Sequence, residues 1–375
     1  MYSCRVGMAG PISIAGSTKT IGGDGVFVIA EIGKNFIQTE EERPQEEYLV
    51  NALALIDAAA EVGADAVKFQ THELEDEFMP GLTVVSPHFS GSDRYRWIKR
   101  NQEATPPEFW WAVKTRAEER GLVFFSTPMS HRAAEKLQSL GVSLFKLGSG
   151  DVQDYATLDY IANTRKPLII STGMVGLAEL DELIIHVRSL GIPLCVLYCI
   201  SQYPAPADYF NLATIERLQE EYPDVVIGFS DHSLGESIAL AAVKLGARVV
   251  EKHFSFSRDL WGADHRVSMA PEEFAAMVRA IRSGAYTHVD HRAYYGSRER
   301  ELEGANNKFR PYFNKALVAG CDIPTGTTIT KEMIYAMRPK MYIDGLASNK
   351  FYDVVGKKTK KNMKKYDPIT VTALA

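Results

Sequence analysis

Two histidines stand at the ends of β-branched runs in the second half of the chain. His232 closes the run 225–232, and His253 lies near the end of the run 249–255. Neighbouring strands of a sheet lie about 4.8 Å apart, so two imidazoles at matching heights could share one ion. Imidazoles with open or water-filled positions beside them suit Mn²⁺, Fe²⁺, Co²⁺ or Zn²⁺. The alternative is a pair of core histidines that donate to backbone carbonyls.

Two lysines form a second group of chemically useful residues. Lys68 and Lys146 lie on the second and fourth such runs, and alternate strands of an eight-stranded barrel contribute to one interior layer. Buried ammonium groups need an anionic partner, and a phosphate fits that need. The alternative pairs each lysine with a structural carboxylate such as Glu31. The hydroxyls that could also donate to a phosphate are Thr127, Ser149, Ser171, Ser201 and Ser230.

The runs that carry these residues occur eight times. Each begins with mainly apolar residues, ends at turn residues and is followed by an amphipathic helical pattern. Alternating strands and helices predict a parallel sheet covered by helices, and eight repeats favour closure into a (β/α)₈ TIM barrel. An open, doubly wound sheet is the alternative. The runs are 27–33, 66–72, 123–128, 144–150, 167–173, 194–201, 225–232 and 249–255.

All eight runs carry polar or charged residues among their last positions. The active site of such a barrel lies at the carboxyl ends of its strands, so these residues predict a single site there. The segment 86–106 after the second run is long for a loop between a strand and a helix. We therefore predict that it is a lid over the same end of the barrel.

The remaining segments define the predicted domains. Residues 12–25 partly alternate and contain Gly-Gly-Asp-Gly, which predicts a β-hairpin that plugs the opposite end of the barrel. The barrel with its hairpin is assigned to residues 1–285, a linker to 286–309 and a small unit to 310–375. The basic stretch 355–365 of that unit is predicted to be a solvated face.

The bulk properties exclude several classes of protein. The chain has 375 residues, of which 46% are hydrophobic, enough for a sizeable core. A net charge of -5 gives no argument for binding nucleic acid or a membrane surface. The four cysteines have no CxxC spacing, and the chain has neither a signal-peptide pattern nor a membrane-spanning apolar run. We expect a cytoplasmic enzyme with buried, reduced thiols.

Most of the polar strand ends belong to a set of eight short motifs that occur in order along the chain. They are Ala30-Glu31-Ile32-Gly33, Lys68-Phe69-Gln70-Thr71, Ser126-Thr127-Pro128, Lys146-Leu147-Gly148-Ser149-Gly150, Ser171-Thr172-Gly173-Met174, Ser230-Asp231-His232, Glu251-Lys252-His253-Phe254 and Gly262-Ala263-Asp264-His265. Taken in order, these motifs resemble those of the sialic acid synthase family, whose members make N-acetylneuraminate, legionaminate, pseudaminate and related nonulosonates. The resemblance covers nearly the whole chain, and the tail resembles the family's antifreeze-like (SAF, β-clip-type) domain through Ile323–Gly326, Met337-Arg338-Pro339 and Gly356.

This resemblance implies a transferase that joins phosphoenolpyruvate to an N-acylhexosamine such as N-acetylmannosamine. Carbon 3 of phosphoenolpyruvate attacks the aldehyde carbon of the open-chain sugar. Water attacks carbon 2, and phosphate leaves by C–O cleavage to give a nonulosonic acid. The resemblance also implies a divalent metal, with Mn²⁺ favoured over Mg²⁺ or Co²⁺.

The same resemblance implies a role for each matching residue. His232 and His253 bind the metal, and Glu31 and Asp151 take part in proton transfer. Arg338 reaches the sugar's N-acyl group from the partner subunit, which implies a domain-swapped homodimer. The residues implied near the phosphate of phosphoenolpyruvate are Lys68, Lys146, Ser149, Ser171, Ser201 and Ser230, and Thr127 is expected beside them. The residues implied near the sugar are Gln70, Tyr203, Asp264 and Arg338.

Two departures from the family pattern bear on the sugar. Phe36 stands where the family commonly has a histidine, and Trp261 precedes Asp264 where the family often has Pro-Gly-Pro-Asp. We predict that Trp261 changes the shape of the sugar pocket. The basic residues of the predicted lid, Arg94, Arg96, Lys99 and Arg100, could meet a phosphate on the sugar, but a solvated face is favoured. Three other functions stay open: a Schiff-base aldolase that uses Lys146 or Lys252, a synthase of a shorter 3-deoxy sugar acid, and a carbohydrate- or ice-binding module.

Overall fold

The computed structural model describes residues 9–85, 93–298 and 301–375 of the chain. The predicted lid is therefore described only in part, because residues 86–92 lie outside these ranges. The strands of the described residues are β1 Ile12–Ser13, β2 Thr20–Ile21, β3 Phe27–Gly33, β4 Ala66–Thr71, β5 Val123–Pro128, β6 Phe145–Leu147, β7 Leu168–Ser171, β8 Leu194–Cys199, β9 Val226–Asp231, β10 Val249–His253, β11 Ala316–Ala319 and β12 Ile334–Met337.

Helices follow the barrel strands as the amphipathic patterns predicted. Several end at a glycine with positive φ, such as Gly141 at φ 78° after α5, a conformation that favours glycine. The α-helices of the described residues are α1 Gln45–Glu61, α2 Leu74–Glu77, α3 Arg94–Ala104, α4 Pro107–Glu119, α5 His131–Leu140, α6 Tyr155–Asn163, α7 Leu177–Leu190, α8 Ala213–Glu221, α9 Ser237–Lys244, α10 Pro271–Arg282, α11 Arg292–Tyr295, α12 Arg310–Phe313 and α13 Phe351–Val354.

Strands β3 to β10 form one parallel sheet that is nearly closed as a barrel. Its order is β5-β4-β3-β10-β9-β8-β7-β6, so the last strand is hydrogen-bonded to the first. Strands β5 and β6 lie side by side at the remaining seam, with no ladder between them in the described residues. The predicted TIM barrel is confirmed, because an open, doubly wound sheet does not join its first strand to its last in this way.

The predicted hairpin closes the amino-terminal end of the barrel. Strands β1 and β2 pair antiparallel, with Ile12 opposite Ile21. The side chains of Ile12, Ile14 and Ile21 are buried against the first residues of the barrel strands, among them Phe27 and Ala66. The opposite end of the barrel is thereby left for chemistry.

The C-terminal unit packs directly on its own barrel. Strands β11 and β12 pair antiparallel over a small apolar core, which Ala156 of α6 joins from the barrel side. The buried ammonium of Lys315 donates to the backbone carbonyl of Met129 at 2.7 Å and to Asp154 at 2.8 Å. The basic stretch is largely exposed at Lys357, Lys358, Lys360, Lys361 and Lys364.

Two further expectations concern cysteines and membranes. Cys195 and Cys199 are buried as expected, whereas Cys321 is exposed, so the expectation of buried thiols is wrong there. The helices of the described ranges include none with the length and apolar character needed to cross a bilayer.

Candidate active site

A cavity opens at the carboxyl ends of the barrel strands, and all eight strands, or the residues directly after them, contribute to its wall. This confirms that the polar strand ends converge. Every residue predicted for the site lines the cavity, with the exception of Arg338. The predicted residues that line it are Glu31, Lys68, Gln70, Thr127, Lys146, Ser149, Asp151, Ser171, Ser201, Tyr203, Ser230, His232, His253 and Asp264.

Glu31 and Lys68 are paired by the register of the sheet, since their Cα atoms are partners on β3 and β4. The Lys68 ammonium lies 2.8 Å from the Glu31 carboxylate and donates to Thr127 Oγ1 at 3.3 Å. Gln70 Nε2 donates to the other oxygen of Glu31 at 2.8 Å. Lys68 therefore has the carboxylate partner, Glu31, that was considered as an alternative to a phosphate. Because both residues line the cavity, this ion pair does not exclude a role for Lys68 in binding a ligand.

Burial raises the pKa of Glu31 to about 7, with Lys68 opposing the shift and Glu251 adding to it. A carboxyl group with a pKa near neutrality can exchange a proton at physiological pH, which is the property that general acid–base catalysis needs. Gly33 follows this residue at φ 54°, and a Cβ there would lie 3.0 Å from both Gln70 Nε2 and Glu31 Oε1. A glycine is therefore needed where the chain passes the site.

Lys146 and Glu251 complete the charged part of the strand surface. The Lys146 ammonium donates to Ser171 Oγ at 2.6 Å, and burial lowers its pKa. Glu251 accepts from Ser230 Oγ at 3.1 Å and lies 3.8 Å from Lys68. Burial opposes the charged form of Glu251, yet Lys146 and Lys68 hold its pKa below the usual value. Glu251 was not assigned a role from the sequence, although its place two residues before His253 is a usable signal.

A ring of hydroxyls lies beside Lys146. The backbone N–H of Gly173 donates to Ser149 Oγ at 3.0 Å, and Ser201 lies next to them. A Cβ on Gly173 would approach Ser149 Oγ to 2.9 Å and Cys199 Sγ to 3.0 Å. The missing side chain leaves room in which an anion could meet hydroxyl and backbone donors.

The two histidines face each other across β9 and β10, with ring centroids 5.3 Å apart. His232 Nδ1 lies 2.7 Å from the backbone carbonyl of Ile200, which assigns a proton to Nδ1, so that Nε2 is the acceptor whenever the ring is neutral. His253 Nδ1 is buried without a hydrogen-bond partner in the described residues. Burial lowers the pKa of His253 to about 3, so its imidazole is neutral. The carbonyl pairing considered as an alternative thus applies to His232 alone.

Asp151 joins the cavity to the C-terminal unit. Its carboxylate lies 2.8 Å from the ammonium of Lys315 and also contacts the guanidinium of Arg338. Arg338 is fully buried behind the cavity wall, over the ring of Phe313 at 5.5 Å. The resemblance implied an arginine from the partner subunit, whereas here Arg338 contacts Asp151 of the same chain. The exchange between subunits stays a prediction.

Two cations of the cavity wall were missed or misread from the sequence. Lys34 follows β3 and Arg94 begins α3, and both line the cavity. For Arg94, Arg96, Lys99 and Arg100 the sequence left two interpretations open, contact with a sugar phosphate or a solvated face, and favoured the second. Arg94 is only 3% exposed, so the solvated face is wrong for this residue. The aromatic rings of Phe309 and Phe313, beside α12, also line the cavity and were not predicted.

The two departures from the family pattern have different surroundings. Phe36 packs in the aromatic core against Phe109, with ring centroids 5.0 Å apart, and does not line the cavity. Trp261 packs against Trp97 at 5.1 Å and borders a small side pocket that shares Lys34 with the cavity. Lys252, a candidate nucleophile for an aldolase, is fully buried outside the cavity wall and donates to Asp231 at 2.6 Å.

Comparison with known proteins identifies the families to which the two parts of the chain are similar. Residues 55–291 match the NeuB family, and residues 314–375 match the SAF domain. The human N-acetylneuraminate-9-phosphate synthase is 33% identical over 348 residues, which cover 92% of this chain and 91% of that protein. The N,N'-diacetyllegionaminic acid synthase of Legionella pneumophila is 32% identical over 351 residues, with coverages of 90% and 91%.

Solved structures agree with the sequence relatives. The crystal structure of the spore coat polysaccharide biosynthesis protein SpsE from Bacillus subtilis superposes with a TM-score of 0.78 at 29% identity. The match covers 98% of this chain and 99% of that one. The chain therefore belongs to the NeuB family of nonulosonate synthases, is an enzyme of their transferase type and carries a C-terminal SAF domain.

Proposed function

We propose that the enzyme condenses phosphoenolpyruvate with the open-chain aldehyde of an N-acylhexosamine to give a nonulosonic acid and inorganic phosphate. The observation that carries this proposal is the pair of buried ammonium groups, Lys68 and Lys146, which line one cavity beside hydroxyls and a near-neutral carboxyl. Phosphoenolpyruvate offers a phosphate and a carboxylate to such cations. The hydroxyl donors assigned to it are Thr127, Ser149, Ser171, Ser201 and Ser230.

The proposed reaction balances without an oxidant. Carbon 3 of phosphoenolpyruvate forms a bond to the aldehyde carbon, whose oxygen takes up a proton and becomes a hydroxyl. Water adds to carbon 2, the bond from carbon 2 to the phosphate oxygen breaks, and a ketone remains. Glu31 is suited to hold the transferred proton because of its pKa near 7, and Asp151 is the second carboxylate assigned to proton transfer. Three carbons precede the former aldehyde carbon, so carbon 6 of the sugar becomes carbon 9 of the product.

We further propose that His232 and His253 hold a divalent ion, with Mn²⁺ favoured over Mg²⁺ or Co²⁺. The unpartnered Nδ1 of His253 and the acceptor Nε2 of His232 suit such an ion. In the described ranges no group of three or more His, Cys, Asp or Glu side chains has metal-binding geometry, so water and substrate would complete the coordination. A bound ion would polarise the aldehyde oxygen.

The sugar is assigned to the other residues of the cavity. Gln70, Tyr203 and Asp264 are proposed to contact its hydroxyls, and Arg338 to act near its N-acyl group. We also propose a homodimer in which the C-terminal units are exchanged, so that the contacts seen within one chain form between two. The free thiols of Cys195, Cys199 and Cys321 suit a reducing compartment, and we assign the reaction to the cytoplasm.

A substrate panel tests the function. The purified chain would be given phosphoenolpyruvate, Mn²⁺ and a set of N-acylhexosamines, both neutral and phosphorylated. The relatives' names include a 9-phosphate product and a product without one. We expect inorganic phosphate and a 3-deoxy-2-keto acid in equal amounts, and loss of both after chelation. Activity that survives chelation, together with borohydride trapping of a 2-keto acid on Lys146 or Lys252, would instead support an aldolase. An enzyme that releases a shorter 3-deoxy acid from pentose or tetrose phosphates would also contradict the proposal.

A further inference from the structure

The cavity has a second group of cations that the proposed reaction does not use. We call the strand wall the residues Glu31, Lys68, Lys146, Ser171 and Glu251, which lie on the barrel strands. We call the outer wall Lys34, Arg94, Asp264, Phe309 and Phe313, which lie on loops and helices beyond the strands. Phosphoenolpyruvate is assigned to the cations of the strand wall.

We propose that the aldehyde substrate carries a phosphoryl group on its terminal carbon, and that Lys34 and Arg94 bind it. This inference rests on the proposed function and names the class of its sugar substrate.

Lys34 is the first observation in favour. Its side chain is buried, with 8% exposed, and its ammonium lines the cavity. Within the described residues the ammonium makes neither a hydrogen bond nor an ion pair, and it lies 5.4 Å from the ring centroid of Trp97. A buried charge without a partner is costly, so a ligand that supplies an anion would be favoured at this position. Burial lowers the pKa of Lys34 to about 8, with Asp264 opposing the shift, so the ammonium is still mainly charged at neutral pH.

Arg94 is the second observation, and it lies on a different element. Its guanidinium is stacked over the ring of Phe313 at 4.6 Å, which orients the planar fork within the cavity wall. Arginine in such a setting recognises phosphate through two parallel hydrogen bonds, while lysine acts as a point charge. Asp264 lies close enough to both cations to influence the pKa of each. A phosphoryl dianion would offer three acceptor oxygens to this pair.

A neutral sugar would not serve these two cations equally well. A hydroxyl can accept a hydrogen bond from Lys34, but it leaves the buried positive charge uncompensated. The anionic groups of phosphoenolpyruvate are assigned to Lys68 and Lys146 on the strand wall. Asp264 is one carboxylate near both cations, and a further negative charge can come from the far end of the second substrate. A sugar phosphate brings two negative charges to two cations, whereas a sugar carboxylate brings one.

The test compares N-acetylmannosamine with its 6-phosphate in the full-length, Mn²⁺-loaded enzyme at saturating phosphoenolpyruvate. We expect kcat/KM to be higher for the 6-phosphate. Lys34→Met should reduce that preference by about 10- to 100-fold, because a hydrogen bond to a charged group is lost. The loss should be in KM for the phosphorylated sugar, with the neutral sugar and phosphoenolpyruvate little affected. Arg96→Met, an exposed position on the same helix as Arg94, is the matched control and should retain the preference.

Several outcomes would overturn the inference and leave the proposed function intact. They are a wild-type enzyme that uses the neutral sugar as well as the phosphate, a Lys34→Met variant that loses both activities equally, and a preference for a hexuronic acid over the phosphate. If no aldehyde reacts with phosphoenolpyruvate, the proposed function itself fails. Calorimetry with N-acetylmannosamine 6-phosphate then still tests the site, since binding should be at least tenfold weaker in Lys34→Met. Equal binding by the two proteins would exclude the site.

Discussion

The strand wall and the outer wall of the cavity differ in how their charges are compensated. On the strand wall, Lys68 has Glu31 at 2.8 Å and Lys146 has Ser171 at 2.6 Å. On the outer wall, Lys34 makes no hydrogen bond or ion pair to any described residue. Arg94 is stacked on Phe313, and the carboxylates of Glu77 and Asp264 oppose the effect of burial on its pKa. Strand residues are rigidly positioned before substrate binds, which suits groups that stabilise a transition state. Loop and helix residues vary more readily, which suits the choice of sugar.

The largest effect is expected from Lys146→Met on the strand wall. We expect kcat/KM for phosphoenolpyruvate to fall by roughly 1,000-fold, which corresponds to about 4 kcal/mol of transition-state stabilisation. The ammonium contacts Ser171 and a backbone carbonyl, with no carboxylate within ion-pair distance in the described residues. Its removal therefore breaks no direct ion pair. Glu251, which Lys146 also stabilises, keeps Lys68 at 3.8 Å, so the melting temperature should fall less than in Lys68→Met.

Lys68→Met is the matched comparison for this prediction. It should also abolish turnover, but it removes the ammonium that lies 2.8 Å from Glu31 and should lower the melting temperature as well. The measurements are phosphate release and thermal unfolding of both variants. If Lys146→Met retained phosphoenolpyruvate turnover within tenfold of wild type, the strand wall would not be the phosphoenolpyruvate site.

The strand wall could be predicted from the sequence because its residues lie on strands with a regular pattern. Once Glu31 and Lys68 are assigned to neighbouring parallel strands, their meeting follows from the sheet geometry. The boundaries were less accurate: the predicted strand 144–150 is only Phe145–Leu147 in the structure.

The outer wall could not be predicted in the same way. Arg94 lies in a segment whose basic residues looked uniformly solvent-exposed, and only the packing of α3 turns this one inward. Phe309 falls in the predicted linker and Phe313 in the predicted C-terminal unit, yet both line the cavity. The positions of these two rings depend on how segments distant in sequence pack on the barrel. Local periodicity in the sequence does not predict such packing.

Arg338→Ala should have the next largest effect and should act on the sugar alone. Arg338 supports two residues of the cavity wall, Asp151 by an ion pair and Phe313 by stacking. Small displacements of positioning groups are costly, so we expect KM for the aldehyde to rise by about 10- to 100-fold. KM for phosphoenolpyruvate should stay near wild type, and Arg338→Lys should recover part of the loss. Equal losses for both substrates would show that the two walls are not separable.

Mixing two defective variants at a sugar concentration well below KM, where each has little activity alone, tests which chain's Arg338 supports the cavity wall. In an exchanged homodimer, a Lys146→Met chain would supply an intact Arg338 to the intact barrel of an Arg338→Ala chain. Half of the dimers are then mixed and each has one complete site, so activity should recover to about a quarter of wild type. The measurement is phosphate release after co-refolding or co-expression, with each variant alone as the control. No recovery would mean that Arg338 acts within its own chain, as the contacts of the structure have it.

The smallest expected effect is on thermal stability. It concerns α2, the helix of the barrel domain that contacts β12 of the C-terminal unit. Asp76 is buried on α2, next to Glu77, and accepts a hydrogen bond from the backbone N–H of Arg132 at 2.9 Å. Burial raises the pKa of Asp76 from 3.8 to about 7. The folded state therefore binds this proton more tightly than the unfolded state. As a result, the free energy of unfolding falls as the pH rises from about 4 to about 7. Above pH 7 the loss is complete and constant.

Asp76→Asn should remove this loss, because an amide oxygen can still accept from Arg132 and carries no charge. We expect the variant to melt roughly 5 °C higher than wild type at pH 8, with a much smaller difference at pH 5, where the wild-type carboxyl is protonated in the fold. Thermal unfolding at the two pH values measures the difference, and KM for both substrates should be unchanged. A variant that gained equally at both pH values would assign the effect to packing. A variant that melted lower at pH 8 would mean that the charged carboxylate stabilises the fold, through the buried cation Lys315 that acts on its pKa.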